Sequence, residues 1–351
     1  MSKMKAAVYY GPRDIRVESI DIPEVGPNDI LLKINACGIC GSDVHSYGTG
    51  LYIEKGQIMG HEFSAEVAKV GQNVKDIKVG QRGTGFHSGV CGQCYWCQNQ
   101  QFMLCPNLFK ASTGYGLQGA FAEYLLIPNA VKGVSFLPIP DELDIFTAAT
   151  IEPVSVAALT VSQCEPKKGD QVVVMGAGLI GNAVMQVFKA YDVGKVVVTE
   201  VSDMRLKSAK ALGADEVIHA AEEDVLQRVK EIVGVGPYHF NEGAMADIVV
   251  DAAGAPSAVE QSFELVRSAG TIAFVGLPEK TAALDTTKIV HKAPRILGCL
   301  GGDFAKSIEL LNENKVKTKE LVSHVYSIDH AKEAFEMQMR PHDSVKVMIE
   351  F

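Results

Sequence analysis

Residues 171–200, QVVVMGAGLIGNAVMQVFKAYDVGKVVVTE, constrain this chain more than any other stretch. An apolar run, a glycine turn, an amphipathic pattern and a second apolar run follow one another within about thirty residues, which is the order of a βαβ unit. In the middle segment Leu179, Ile180, Ala183, Val184, Val187, Phe188 and Tyr191 recur at three- and four-residue steps. That period puts one helix face against a sheet. Gly176, Gly178 and Gly181 form a G-x-G-x-x-G pattern directly after the first run. The first glycine allows a tight turn, the second lets the backbone approach a pyrophosphate, and the third lets helix and strand pack closely.

The helix N-terminus adds unpaired N–H groups and partial positive charge for an anion. Gly176, Gly178, Leu179, Ile180 and Gly181 are therefore the expected contacts of a dinucleotide, with a bare tight turn as the plain alternative. Glu200 closes the next strand, where an acidic residue accepts hydrogen bonds from an adenosine ribose. Its charge repels a 2′-phosphate, so NAD is expected rather than NADP; a solvated strand end is the alternative. Arg205 is a candidate to stack on the adenine, against a surface charge beside Asp203.

The same rhythm continues downstream. RLKSAKALGA reads as a helix, ADIVVDAAG as a strand, PSAVEQSFELVRSAG as a helix and TIAFVG as a strand, with the apolar strands of a parallel sheet covered on both faces. The first half differs: AAVYY, DIRVESI, ILLKINACG, EFSAEVAKVG and FAEYLLIP are short β-rich runs broken by Gly, Pro, Asn and Asp. An α/β chain with a mainly β domain and a doubly wound domain is expected, as 351 residues exceed what one core usually supports. RILGCLGG, SIELLNEN and SVKVMIEF, after about residue 290, fit either domain by pattern.

A formal charge of −9 argues against nucleic acid as a partner, since binding phosphates needs clustered Lys and Arg. No window approaches the roughly 18 apolar residues of a membrane span. MSKMKAAVYYGPRD lacks the apolar core of a signal peptide, so a cytoplasmic protein with a small-molecule partner and no membrane association is expected.

In that setting closely spaced cysteines point to metal before disulfides or a redox pair. Cys91, Cys94, Cys97 and Cys105, in CGQCYWCQNQQFMLC, can close a tetrahedral thiolate site around Zn2+. Four ligands leave no open position, so this site organises a loop and does no chemistry. A second, scattered set comprises Cys40, Ser42 and His45 in CGICGSDVH, His61 and Glu62 in GHE, and Glu152 in IEPVSV. A mixed sulfur, nitrogen and oxygen set with one place open is what a catalytic Zn2+ requires. Singly, a Cys or His in a β domain reads as packed or hydrogen-bonded core, and CGIC as a redox pair.

GICGSDVH, GHEFSAEV, CGQCYWCQNQQFMLC, GAFAEY, EPVSVA and VMGAGLIG together resemble the zinc-dependent medium-chain dehydrogenase/reductase family, nearest to its polyol and secondary-alcohol dehydrogenases. The resemblance implies a GroES-like catalytic domain, residues 1–153 and 291–351, with a Rossmann domain, 154–290, inserted between the two parts. It implies Cys40 and His61 as catalytic zinc ligands, Glu152 as a third directly or through water, and Glu62 as an outer or alternate ligand. Ser42 would bond the substrate hydroxyl and His45 would pass its proton to solvent by way of the cofactor ribose. Asp43 would support the loop, while Cys37, Cys164 and Cys299 would be small buried residues.

The expected reaction is oxidation of a secondary alcohol, a polyol, sugar alcohol or diol, to a ketone with NAD. A sugar phosphate or an amino alcohol such as threonine is the alternative substrate. A non-catalytic NAD-binding sensor is the alternative from another class. PRILGCLGGDF does not show the arginine and aromatic pair of polyol enzymes, and no Arg/Lys cluster favours a phosphate. A homodimer or homotetramer is implied by the resemblance alone.

Overall fold

The structure is a computed structural model that describes residues 2–278 and 280–351. The chain divides into two compact units, one of residues 1–152, 322–340 and 346–351, the other of 153–321 and 341–345. Among the described residues no helix is long and apolar enough to cross a membrane.

The first unit is mainly β. Strands Val322–Ser327, Lys346–Glu350, Ile30–Gly38, Glu62–Val70, Arg82–Thr84 and Leu137–Pro138 lie side by side in that order, and Tyr124–Ile127 also pairs with Ile30–Gly38. Lys3–Gly11 and Asp14–Asp21 form a separate antiparallel pair. Period-two alternation explains the half-buried strands: in Lys3–Gly11 the lysines face out and Met4 and Ala6 face in. Phe335 packs against Phe121 and Tyr47, with ring centroids 5.3 and 5.0 Å away. The C-terminal segments therefore belong to this core.

In the second unit six parallel strands run in the order Glu216–His219, Val196–Glu200, Val172–Met175, Ala246–Asp251, Val266–Phe274 and Arg295–Gly298. This is the doubly wound dinucleotide-binding order, with its reversal beside Val172–Met175. Val172, Val173 and Val174 are wholly buried, as strands covered on both faces must be.

Three expectations need correction. The chain returns to the first unit at residue 322, not 291, because Arg295–Gly298 is the edge strand of the parallel sheet. The helix expected over PSAVEQSFELVRSAG ends at Leu265, and the next strand begins at Val266. Tyr191, expected on the apolar helix face, caps the helix Leu179–Ala190 and is exposed, while the polar Asn182 and Gln186 are buried. Asn182 donates to Ala177 O at 2.6 Å, and Gln186 exchanges bonds of 3.0 and 2.8 Å with the Lys317 backbone.

Candidate active site

The cysteine lobe is built from a four-residue helix, Tyr95–Gln98, and a 3-10 turn, Phe102–Leu104. Helix and turn bring the sulfurs of Cys91, Cys94, Cys97 and Cys105 within 4.8 Å of one another. Cys91 and Cys97 sulfurs are 4.0 Å apart, far beyond a disulfide's roughly 2.05 Å and close to the ~3.8 Å that tetrahedral bonds of about 2.3 Å require. All eight cysteines are free thiols. Backbone N–H groups of Cys91 and Cys94 donate at 3.4 Å to the sulfurs of Cys105 and Cys91. Such bonds, from Gln93 and Cys94, hold the Cys91 thiol down to about 6, whereas burial pushes Cys97 up to about 12. The donor set fits a closed zinc site.

The second centre is assembled from three elements. Cys40 is the N-cap of helix Gly41–Thr49 and donates its N–H to Asp43 Oδ2 at 2.9 Å. Glu62 opens the strand Glu62–Val70 with His61 immediately before it, and the ligand atoms of Cys40, His61 and Glu62 lie within 4.8 Å of one another. Glu62 faces Gly38 across the sheet, where a Cβ would collide with the Glu62 carboxylate and approach Lys346 Cε to 2.9 Å. Glycine there makes room for both. Lys346 is buried, pairs with Glu62 Oε2 and donates to Ile39 O at 2.9 Å.

Glu152, expected as the third ligand, is half-buried in the first turn of helix Ile151–Cys164 and is not in that tight trio. Burial pushes its carboxyl up to about 7; attraction to His61 opposes this and repulsion from Glu62 adds to it. Burial alone would lower His61, yet Tyr115, Asp43 and Cys40 drive it well above its usual range. The carboxyl groups of Asp43, Glu62 and Glu152 thus gather around the Lys346 ammonium and the His61 imidazole. A divalent cation would add a further counter-charge for these carboxyl groups, and Asp43 Oδ1 lies 3.7 Å from His61 Nδ1, an electrostatic contact longer than a hydrogen bond.

Ser42 and His45 sit three residues apart on helix Gly41–Thr49, hence on one face, and both are half-buried. His45 leans against Tyr52 at 6.2 Å between ring centroids. Sequence reasoning missed Lys346 and Tyr115. Tyr115 donates to Ser42 Oγ at 3.0 Å, and its ring lies 5.2 Å from that of His61. Its signal was faint: a glycine-flanked tyrosine in TGYG. Cys37 and Cys164 are buried as expected, whereas Cys299 is half-exposed.

In the second unit the three glycines divide their tasks. Gly176 has φ +94°. A Cβ on Gly181 would collide with the Gly176 carbonyl. A Cβ on Gly178 would meet only Arg205 Nη1, at 3.9 Å, so the protein itself leaves that space open. It is the cradle a pyrophosphate needs, at the N-terminus of helix Leu179–Ala190. Glu200 is buried and accepts from Ala177 N at 2.8 Å and from Val201 N at 2.7 Å, so it braces the turn as well as closing the strand. Arg205 is no free surface charge: it donates to Ser344 O at 3.0 Å and lies 4.0 Å from Glu200.

Comparison with known proteins agrees with both halves of this description. The family described as alcohol dehydrogenase GroES-like domain matches residues 26–141, and that described as zinc-binding dehydrogenase matches 180–314. Sorbitol dehydrogenase of Bacillus subtilis is 33% identical, aligned over 99% of this chain and 97% of its own. L-threonine 3-dehydrogenase of Pyrococcus abyssi is 34% identical over 98% and 97%. The chain belongs to the zinc-dependent medium-chain dehydrogenase/reductases. A zinc-binding dehydrogenase of Sinorhizobium meliloti, solved bound to NADP, is 28% identical and superposes with a TM-score of 0.88 over 100% of both chains. This dehydrogenase is an enzyme acting on CH–OH, with zinc and a nicotinamide cofactor.

Proposed function

We propose that the dehydrogenase oxidises a secondary hydroxyl of a small polyhydroxylated alcohol, a polyol or vicinal diol, to a ketone and uses NAD. The observation that carries the chemistry is the cluster of half-buried Cys40 with buried His61 and Glu62, and Ser42 in the first turn of the helix that Cys40 caps. Bound zinc supplies Lewis acidity toward the alcohol oxygen, and bound nicotinamide supplies the hydride acceptor.

The chain's own residues do the rest. Cys40 and His61 hold the metal, with the Asp43 carboxylate beside the ring of His61. Of the two glutamates, Glu62 already has the Lys346 ammonium as its counter-charge. Glu152 is therefore the carboxylate that takes the third place, directly or through water. Ser42 accepts the hydroxyl proton, and His45, one turn further along the same helix face, hands it to solvent. Glu200 at the end of the second strand favours NAD because its carboxylate would repel a ribose 2′-phosphate.

A β-hydroxy amino acid is the second reading, favoured by the 34% identity to a threonine dehydrogenase. The test is nicotinamide reduction by zinc-loaded enzyme with sorbitol, 2,3-butanediol, a sugar-alcohol phosphate and L-threonine, each with NAD and with NADP. Preference for sorbitol or butanediol with NAD supports the proposal. Preference for threonine moves the substrate to the second reading, and preference for NADP overturns the role given to Glu200.

A further inference from the structure

We infer that Tyr115 is a positioning residue of the proton path, acting through Ser42. The inference rests on the role proposed above for Ser42 and adds what directs that serine. A serine hydroxyl carries one proton and two lone pairs. The Tyr115 hydroxyl donates into one of those lone pairs at 3.0 Å. The other remains to accept from the alcohol, and the serine's single proton is left to move onward. Hydrogen bonds in a chain polarise one another, so a phenol donating into Oγ also makes Ser42 a better donor.

The placement of Tyr115 is over-determined. Its turn is closed by bonds from Tyr115 N and Leu117 N to Ser112 O at 3.1 and 3.0 Å and from Gly114 N to Leu117 O at 3.2 Å. Gly114 has φ +79°, and a Cβ there would sit 2.7 Å from the Gly60 carbonyl, next to His61. A Cβ on Gly116 would collide with the Lys110 carbonyl. The turn is thus wedged between the backbone that presents His61 and the backbone that leaves the cysteine lobe. The Tyr115 ring packs against those of His61 and Phe109, with centroids 5.2 and 5.0 Å away. Phe109 follows Leu108, which packs with Cys97 and Cys105. The lobe that does no chemistry thereby reaches the residue that moves the proton.

A double-mutant cycle on the zinc-loaded enzyme, assayed with NAD and with sorbitol, 2,3-butanediol and L-threonine as probes, tests this. Tyr115→Phe keeps both ring contacts and deletes only the hydroxyl. It is expected to lower kcat about 3- to 10-fold, with KM for NAD unchanged and a larger solvent deuterium isotope effect on kcat. Added to Ser42→Ala, the same substitution is expected to change kcat less than about twofold. An equal loss in both backgrounds, or none in the wild-type background, overturns the inference. A Ser42→Ala variant of undiminished kcat overturns the role of Ser42 itself, which separates the two failures. Crystal structures of the two holoenzymes give a readout without turnover: one Ser42 rotamer facing Tyr115 in the wild type and several in Tyr115→Phe. A single identical rotamer in both overturns the inference.

Discussion

Gly178 and Gly181 differ by three positions, and substituting each tests a different property. A methyl at Gly178 enters open space, so Gly178→Ala is expected to alter stability by less than about 1 kcal/mol while weakening NAD binding roughly tenfold or more. At Gly181 the methyl meets the Gly176 carbonyl; the ~1 kcal/mol of helix propensity that alanine gains is outweighed by an overpacking cost of about 1–3 kcal/mol. Thermal denaturation with and without NADH separates them, and a destabilised Gly178→Ala would remove the argument that this space is kept for the cofactor. The two glutamates divide likewise. Glu152→Gln is expected to weaken binding of the catalytic zinc about 10- to 100-fold. Glu62→Gln is expected to keep that zinc but lose about 3–5 kcal/mol, because Lys346 stays buried without its counter-charge. Metal analysis beside melting curves decides, and the opposite pattern would exchange the roles. The glycine turn was legible in sequence because its physics is local. Lys346 was not, because a lysine near the C-terminus in an apolar run says nothing of a glutamate on a distant strand.

Among the elements the cysteine lobe was the most legible, since ligand spacing states its own geometry: two-residue gaps turn neighbouring sulfurs to one side. Its independence is also testable. Cys97, Cys105 and Leu108 form a small cluster of their own, and the chain's single tryptophan, Trp96, sits between two of the ligands. Cys97→Ser is therefore expected to lose about one zinc equivalent, to shift tryptophan emission and to open residues 91–105 to proteolysis, while the main thermal transition moves by less than about 5 °C. Unchanged emission on loss of that zinc would mean that the metal does not organise the lobe. Helix ends were less legible. The apolar pattern runs from Phe263 and Leu265 into Val266 without a break, so periodicity could not mark where helix gives way to strand. The cue lies far along the chain: Lys292 donates to the carbonyls of Phe263, Glu264 and Val266 at 2.8 to 2.9 Å and satisfies the helix's last turn. The hairpin of Val235–Tyr238 and Asn241–Ala244 escaped for a related reason, as its strands hold two glycines and a proline and lack alternation.

At the scale of the whole chain the two-domain reading rested on a change in texture near residue 150, and the first compact unit runs to Glu152. The second boundary was the harder one, since RILGCLGG carries strand propensity without stating which sheet it joins. Pairing answers that: Arg295 to Gly298 lie in register with Thr271 to Phe274 and cover the edge of the parallel sheet. An uncovered parallel strand leaves a row of unpaired N–H and C=O groups and invites aggregation. A fragment of residues 153–321 is therefore expected to fold with one cooperative thermal transition and to bind NADH, although it forgoes Val345 beside Leu179 and Leu321 and the Ser344 carbonyl that holds Arg205. A fragment of 154–290 lacks the edge strand and is expected to aggregate or to unfold without a cooperative transition. Circular dichroism melting and NADH fluorescence on the two fragments measure the difference. Equal, cooperative folding of both would show that the last strand is an accessory to the second unit and would put the boundary back near residue 290.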